Sequence, residues 1–199
     1  MKTSLLAAGF AVALIAGQDS GTFAPDAAGF IRNWLVLAPI AIAEDSGASE
    51  IDRAQLDDEA ALAPKAGDSV NVGGKILSWR AHQTADYFID FRESFGAERG
   101  EDAAGYAVAY VLADAEMKAR LSVGSNDQCK AWLNGKEVLK FTETRTLEKD
   151  TDAGDVTLVK GRNVLVFKVI NEKNSWQGAA RFLQNGAAVT ALKVSLNPK

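Results

Sequence analysis

The stretch GSNDQCKAWLNGKEV, residues 124–138, decides the fold of this chain. From Cys129 to Leu133, small or apolar side chains alternate with polar or larger ones, and Asn134-Gly135 then separates this run from a second short run. Asn-Gly between two such runs is the strongest short-range signal for a β-hairpin, because both residues tolerate the positive φ angles of a type I′ turn. The stretch therefore predicts two antiparallel strands joined by a two-residue turn.

Short runs of the same kind recur along the rest of the chain. After a first strand at residues 30–38, they cover residues 76–80, 87–91, 104–112, 118–124, 129–133, 137–141, 156–159, 163–170, 178–182 and 189–194. Within the run 163–170, Phe167 and Val169 share one face and Lys168 lies on the other. Turn residues separate most runs, and no helix alternates regularly with them. This pattern predicts an all-β sandwich or barrel.

Residues 44–69 interrupt this strand pattern. Ser49 or Asp52 can cap a short helix over 51–62, and Pro64 and Gly67 end it. Residues 41–70 hold eight acids and two bases, whereas residues 71–199 hold sixteen acids and eighteen bases. Because the body of the chain is nearly neutral and has no basic stripe, nucleic acid is not an expected partner.

The N-terminus has the features of a secretory signal. Lys2 precedes an apolar run at residues 5–15, which is too short to span a bilayer because a spanning helix needs about 20 residues. A second apolar stretch, residues 30–43, is also too short. We therefore expect a protein that is secreted or held in the periplasm or cell envelope and has no membrane span. The predicted divisions are a signal peptide at 1–17, a flexible leader at 18–29 and one β-sandwich domain at 30–199.

Two motifs carry a resemblance to a known family. Residues 124–138 and the stretch VTLVKGRNVLVFKV at 156–169 resemble a jelly-roll module of bacterial extracellular proteins, which is similar to galactose-binding-like domains and to the sugar-binding domain of family 2 glycosidases. The resemblance covers residues 30–194. It implies an antiparallel jelly-roll β-sandwich with a short acidic helical insertion. It also implies an exported, non-catalytic module that recognises a polysaccharide or cell-surface glycan.

The resemblance and the chemistry of sugar binding together select candidate ligand-binding residues. Proteins bind sugars with aromatic side chains that stack on the ring, oriented by a few polar groups. The alternation around the hairpin places Trp132 on an outer sheet surface, and Trp176 lies in a loop before a strand. Arg145 and Asp127 stand at positions that recur in the module. The alternative for both tryptophans is core packing, because large aromatics dominate sandwich cores.

The Asn126-Asp127 turn has two interpretations. Galactose-binding-like folds often hold a structural calcium ion with loop oxygens, and this is the one cofactor that the resemblance suggests. Here, however, Asn126 replaces an Asp of the module and Gln128 replaces a Gly. The other interpretation is that these side chains bond the turn's own backbone. We therefore predict no metal or cofactor, and the lone Cys129, which alternates with apolar residues, is predicted to be a buried thiol.

No catalytic residues are predicted. His82 is the single histidine and lies outside any nucleophile motif, and no pair of carboxylates is singled out by spacing. The expectation is therefore a non-enzymatic binding module. Two alternatives stay open: a structural or protein-interaction module of the periplasm or envelope whose partner contacts the acidic segment 44–69, and a small hydrolase or lyase that uses carboxylates.

Overall fold

The computed structural model describes residues 21–95 and 100–199, so the predicted signal peptide and the first part of the predicted leader lie outside the described residues. The strands are β1 Asn33–Ala41, β2 Ser69–Val72, β3 Lys75–Ser78, β4 Arg80–Gln83, β5 Ile89–Asp90, β6 Ala103–Ala113, β7 Met117–Asn126, β8 Cys129–Leu133, β9 Lys136–Phe141, β10 Asp152–Leu158, β11 Gly161–Asn171, β12 Gln177–Gln184, β13 Ala187–Ala188 and β14 Lys193–Ser195. The helices are α1 Gly47–Glu50, a 3-10 turn Glu59–Ala61 and α2 Phe91–Phe95.

These strands form two antiparallel sheets and a separate hairpin. Sheet A has the order β4-β1-β6-β11-β8-β9, with β14 also paired to β6. Sheet B has the order β10-β7-β12-β13, with β5 paired to β12, and β2 and β3 pair with each other. Apolar side chains from both sheets, among them Phe167 of β11 and Leu121 of β7, meet in one buried cluster. The predicted all-β antiparallel sandwich is confirmed.

The β8–β9 hairpin forms as the sequence predicts. Leu133 pairs with Lys136 across the turn, and Asn134 and Gly135 have φ angles of 53° and 79°. Both positive angles match the type I′ geometry that Asn-Gly favours. The predicted alternation also holds, because Cys129 is fully buried in the cluster between the sheets.

The end of the chain differs from the prediction of one strand at 189–194. The chain forms β13 in sheet B and then crosses to form β14 in sheet A. Phe23 forms a bridge with Val194, and the Asp26 carboxylate accepts hydrogen bonds from the amides of Ala28 and Phe30 at 2.9 Å. The described part of the leader is therefore bonded to the sandwich.

A second buried cluster lies on the outer face of sheet A. It is covered by residues 42–79, which we call the cover segment and which contain the acidic insertion. Apolar side chains of the cover segment, such as Ile51, Leu56 and Trp79, pack there against Tyr106 and Val166. Much of the outer face of sheet A is thus buried.

The helix predicted over 51–62 is wrong in its boundaries. The structure has α1 at Gly47–Glu50 and the 3-10 turn at Glu59–Ala61, with turns between them. The carbonyls of Glu50, Ile51 and Arg53 accept hydrogen bonds from the Lys168 ammonium at 3.0, 3.2 and 2.7 Å. These carbonyls bond the Lys168 ammonium instead of the backbone amides four residues later, so a continuous α-helix does not form across residues 51–62. Across the described ranges, no helix is long and apolar enough to cross a membrane.

Candidate functional site

The two tryptophans that the sequence selected are buried on opposite faces of sheet A. Trp176 lies between the sheets, stacked on Phe91 with ring centroids 5.0 Å apart, and its indole N–H donates to the Val169 carbonyl. Trp132 does lie on the outer side of sheet A, but the cover segment encloses it. Their exposed fractions are 1% and 4%. The expectation that they form an exposed stacking platform is therefore wrong, since neither ring can offer a face to a sugar.

Asp127 and Arg145 do come together, at one end of the sandwich. The Asp127 carboxylate accepts hydrogen bonds from the backbone amides of Arg145 and Glu172, each at 3.1 Å. The Arg145 guanidinium donates to the Ser125 hydroxyl at 2.7 Å and pairs with the Asp152 carboxylate at 2.5 Å. These contacts tie two loops to the β7–β8 turn. Asp127 thus bonds neighbouring loops, while the Ser125 hydroxyl bonds the carbonyl of Asp127 within the turn.

The chain's own hydrogen bonds occupy both carboxylate oxygens of Asp127 in the β7–β8 turn. Both Asp127 oxygens already accept backbone amides, and the Arg145 guanidinium lies on the Ser125 carbonyl at 3.2 Å, placing a fixed positive charge among the oxygens that a metal would need. Calcium requires six to eight oxygen ligands. No cluster of three or more His, Cys, Asp or Glu side chains at metal-binding distance occurs within 21–95 and 100–199.

The thiol of Cys129 is buried, as the sequence predicts. Burial raises the pKa of Cys129 to about 11, so its thiol is protonated at neutral pH.

The outer face of sheet A is closed by charge as well as by apolar packing. Lys168 is fully buried, and its ammonium lies 3.4 Å from the Glu59 carboxylate in addition to its three carbonyl acceptors. Burial lowers the pKa of Lys168, and the attraction of Glu59 opposes that shift. Lys130, on the same strand as Trp132, pairs with Asp52 of the cover segment at 2.8 Å. The ammonium groups of Lys168 and Lys130 therefore attach the cover segment to sheet A at two points.

The acids of segment 44–69 are divided between these internal contacts and the solvent. Glu50, Asp52 and Glu59 pair with bases of the chain itself, at Arg53, Lys130, Lys140 and Lys168. Asp57 and Asp58 are exposed. The part of the segment left for a protein partner is thus smaller than its composition suggests.

An open groove lies beside the β8–β9 hairpin. It has a volume of about 1040 Å³ and extends from the β8–β9 hairpin of sheet A to strands β7, β10 and β12 of sheet B. Most of its side chains are polar or charged, and none is aromatic. The lining residues are Lys118, Ala119, Arg120, Leu133, Asn134, Lys136, Glu137, Val138, Asp155, Val156, Thr157, Leu183, Gln184, Asn185 and Gly186.

The strand register explains the polar wall of this groove. Lys118 and Arg120 alternate with the core residues Ala119 and Leu121 on β7, so both point away from the sandwich. Across the ladder they pair with Thr157 and Asp155 of β10. The Asn134-Gly135 turn, fixed by its positive φ angles, brings Lys136 to the same groove from sheet A.

A smaller pocket of about 320 Å³ adjoins the groove and shares Arg120, Leu183 and Gly186 with it. Its wall includes Asp150, which makes a two-pronged ion pair with Arg181 and accepts the Ser122 hydroxyl at 2.6 Å. Burial pushes the pKa of Asp150 upward, but the hydrogen bonds from Arg181 and Ser122 outweigh it, and the pKa is lowered. Asp150 is therefore a fixed anion that holds the 142–151 loop over sheet B.

The groove was not found from the sequence. Lys118, Arg120 and Thr157 lie on strands in which polar and apolar residues alternate, which is the ordinary pattern of a sheet with one face in water. The sequence contained one usable signal, the period-two alternation of β7 and β10 with charged residues on the same face. Pairing those two strands across 118–158 was needed to see that the charges face one groove.

Comparison with known proteins returned structural similarity alone. No family model and no curated protein matches the sequence. A family 2 glycosyl hydrolase from Bacteroides cellulosilyticus DSM 14838 is similar with a TM-score of 0.43 and 13% identity, over 77% of this chain and 20% of that one. A β-glycosidase from Bacteroides vulgatus gives 0.38 and 12%, again over 77% and 20%. The PA14 domain of the antifreeze protein MpAFP gives 0.38 and 14%, over 90% and 96%. The chain thus spans about a fifth of each of the two glycosidases, and these scores assign it no ligand or activity.

Proposed function

We propose that this protein is an exported, non-catalytic module that binds a polysaccharide in the open groove between the β8–β9 hairpin and sheet B. The observation that supports this most directly is the contrast between the two sides of the sandwich. The outer face of sheet A is occupied by the chain's own cover segment, whereas the groove of about 1040 Å³ is open and polar. The groove is therefore accessible to a ligand of appreciable size.

The polarity of the groove favours a carbohydrate over a protein partner. Stable protein interfaces have a core of aromatic and apolar side chains. In the described parts of the chain, Ile76 and Val159 are the exposed large apolar residues, and neither lines the groove. A polysaccharide instead presents hydroxyl groups, which side chains such as Arg120, Thr157 and Asn185 can bond.

Binding of this kind is expected to be weak at a single site. The groove has no aromatic lining residue for stacking, so hydrogen bonds to an exposed ligand must supply the free energy. Each such bond replaces one to water and contributes only about 1 kcal/mol net. We expect dissociation constants on the order of micromolar to millimolar.

A non-catalytic role is part of the proposal. The groove-lining acids are Glu137 and Asp155, and each is paired with a base, Lys130 at 3.0 Å and Arg120 at 3.3 Å. Both carboxylates are exposed and held by their bases, so neither is set aside for proton transfer to a ligand. His82 lies in β4 opposite Trp34, away from the groove residues.

Affinity electrophoresis through gels that contain soluble polysaccharides tests this function. We expect the unaltered protein to be retarded by at least one polymer, and the double variant Arg120→Ala with Thr157→Ala to bind roughly tenfold more weakly while its stability changes by less than about 0.5 kcal/mol. Arg53→Ala is the matched control, because Arg53 is likewise exposed and ion-paired but lies on the cover segment. Retardation by no polymer, or an equal loss in the Arg53→Ala control, would contradict the proposal.

A further inference from the structure

We infer that the polysaccharide is anionic, carrying carboxylate or sulfate groups, because Lys118 and Lys136 bring uncompensated positive charge to the groove from two different sheets. This inference rests on the proposed function and adds to it the chemical class of the ligand. The chain as a whole has a net charge of −4, so this local excess is opposite in sign to the charge of the whole protein.

The acids of the groove do not form ion pairs with these lysines. Glu137 is held by Lys130, which lies beside the groove, and Asp155 is held by Arg120 within it. Lys118 and Lys136 make no ion pair with any residue in the described ranges, and both are exposed. Three basic and two acidic side chains line the groove, which leaves an excess of one positive charge, and Lys118 and Lys136 are the two bases without an ion pair among the described residues.

The local charges decide what a bound polymer meets. At physiological ionic strength, exposed charges are screened beyond about 8 Å. The exposed acids of the cover segment, such as Asp57 and Asp58, do not line the groove. The cations that a polymer in the groove meets directly are Lys118, Lys136 and Arg120.

The arrangement suits a polymer rather than a single small anion. Lys118 and Arg120 are two residues apart on the same face of β7, so their Cα atoms are separated by roughly 7 Å. Lys136 approaches from the hairpin of sheet A. These cations lie along the walls of an open groove instead of converging on one point, which is the pattern that a repeating anionic chain would match.

Matched pairs of polymers test the inference. Polygalacturonate is compared with its methyl ester, and dextran sulfate with dextran, so that within each pair the backbone is the same and the charge differs. We expect the anionic member of at least one pair to bind roughly tenfold or more tightly at low salt, with the advantage lost at about 0.5 M salt. The two pairs also separate carboxylate from sulfate recognition.

Substitutions at the two groove lysines test whether they supply the charge that binds the polymer. Lys118→Ala with Lys136→Ala should weaken binding to the anionic polymer about tenfold and leave binding to its neutral partner unchanged. Lys75→Ala with Lys193→Ala is the control, because both lysines are exposed and lie outside the groove. Equal binding of charged and neutral polymers would overturn the inference and leave the proposed function standing. Binding of no polysaccharide would overturn both. Equal retention of duplex DNA would show unselective polyanion binding and would also overturn the inference.

Discussion

The outer side of sheet A and the groove beside sheet B are built from the same alternating strand pattern, yet one is closed and the other open. On sheet A, the outward positions include Trp132, Tyr106 and Val166, which form an apolar face that must be covered. On β7 of sheet B, the outward positions include Lys118 and Arg120, which water can solvate. A sheet face whose outward residues are apolar requires a cover, and the cover then removes that face from ligand binding.

The cover of sheet A is fastened by polar contacts that are absent from a simple apolar core. Lys168, at an outward position of β11, donates to three carbonyls of the cover segment. Tyr106 and Tyr110 reach the same segment, bonding the Glu59 carboxylate and the Pro64 carbonyl at 2.5 Å each. In the sequence, the acids of residues 44–69 suggest a partner-binding surface. In the structure, some of these acids form the ion pairs that attach the cover segment to sheet A.

The largest expected effect is the loss of either buried tryptophan. Trp132→Ala and Trp176→Ala should each lower the free energy of unfolding by roughly 3–5 kcal/mol, because each removes a buried indole and leaves a cavity. Phe88→Ala, which truncates a partly exposed aromatic, should cost less. Urea unfolding of the three variants measures this. If Trp132→Ala alone lowered the free energy of unfolding by less than about 1 kcal/mol, the outer face of sheet A would not be closed, and its contrast with the open groove would not hold.

A somewhat smaller effect is expected from Lys168→Met. The substitution keeps most of the side-chain volume but leaves three carbonyls without their donor and Glu59 without its ion-pair partner, which should cost roughly 2–4 kcal/mol. Limited proteolysis should also show faster cleavage within residues 44–69. Lys193→Met, at an exposed position, should change stability by less than about 0.5 kcal/mol. If the two methionine variants are equally stable, Lys168 does not hold the cover.

The smallest effect concerns the exposed edge of the same attachment. Hydrogen bonds from Lys130 and Lys140 lower the pKa of Asp52 to about 2, from an ordinary value of 3.8. A lowered carboxyl pKa contributes stability that is present above pH 4 and is lost as the pH falls through 2. Because Asp52 is half exposed, Asp52→Asn should lower stability at pH 7 by less than about 1 kcal/mol. The melting temperatures of variant and parent should converge between pH 4 and pH 2, and a difference that stays constant down to pH 2 would contradict this role of Asp52.

The fold could be predicted from the sequence because its signals are local. The Asn134-Gly135 turn, the alternation around Phe167 and the inward position of Cys129 depend on residues close in sequence, and each is found as expected. The alternation also placed Trp132 correctly on the outer side of its sheet. Local pattern therefore determined both the strands and their faces.

The candidate site could not be predicted because it depends on contacts between distant segments. Trp132 was expected to be exposed, and what buries it is a segment some seventy residues earlier in the chain, held by Lys168. The groove in turn depends on β7, β10 and the β8–β9 hairpin meeting, and period-two alternation does not reveal that meeting. A single strand shows which side a residue faces, and it does not show whether that side is covered.

Lysine acetylation followed by mass spectrometry, with and without whichever of polygalacturonate and dextran sulfate binds more tightly, tests the contrast between the two sides most directly. Because the cover segment buries Lys168, this lysine should stay unreactive in both conditions, while the exposed Lys75 should react readily. The open side predicts that Lys118 and Lys136 react readily in the free protein and are protected by the polymer, whereas Lys75 and Lys193 are not. Reaction of Lys168 as fast as Lys75, or unchanged reactivity of Lys118 and Lys136 under saturating polymer, would contradict the account.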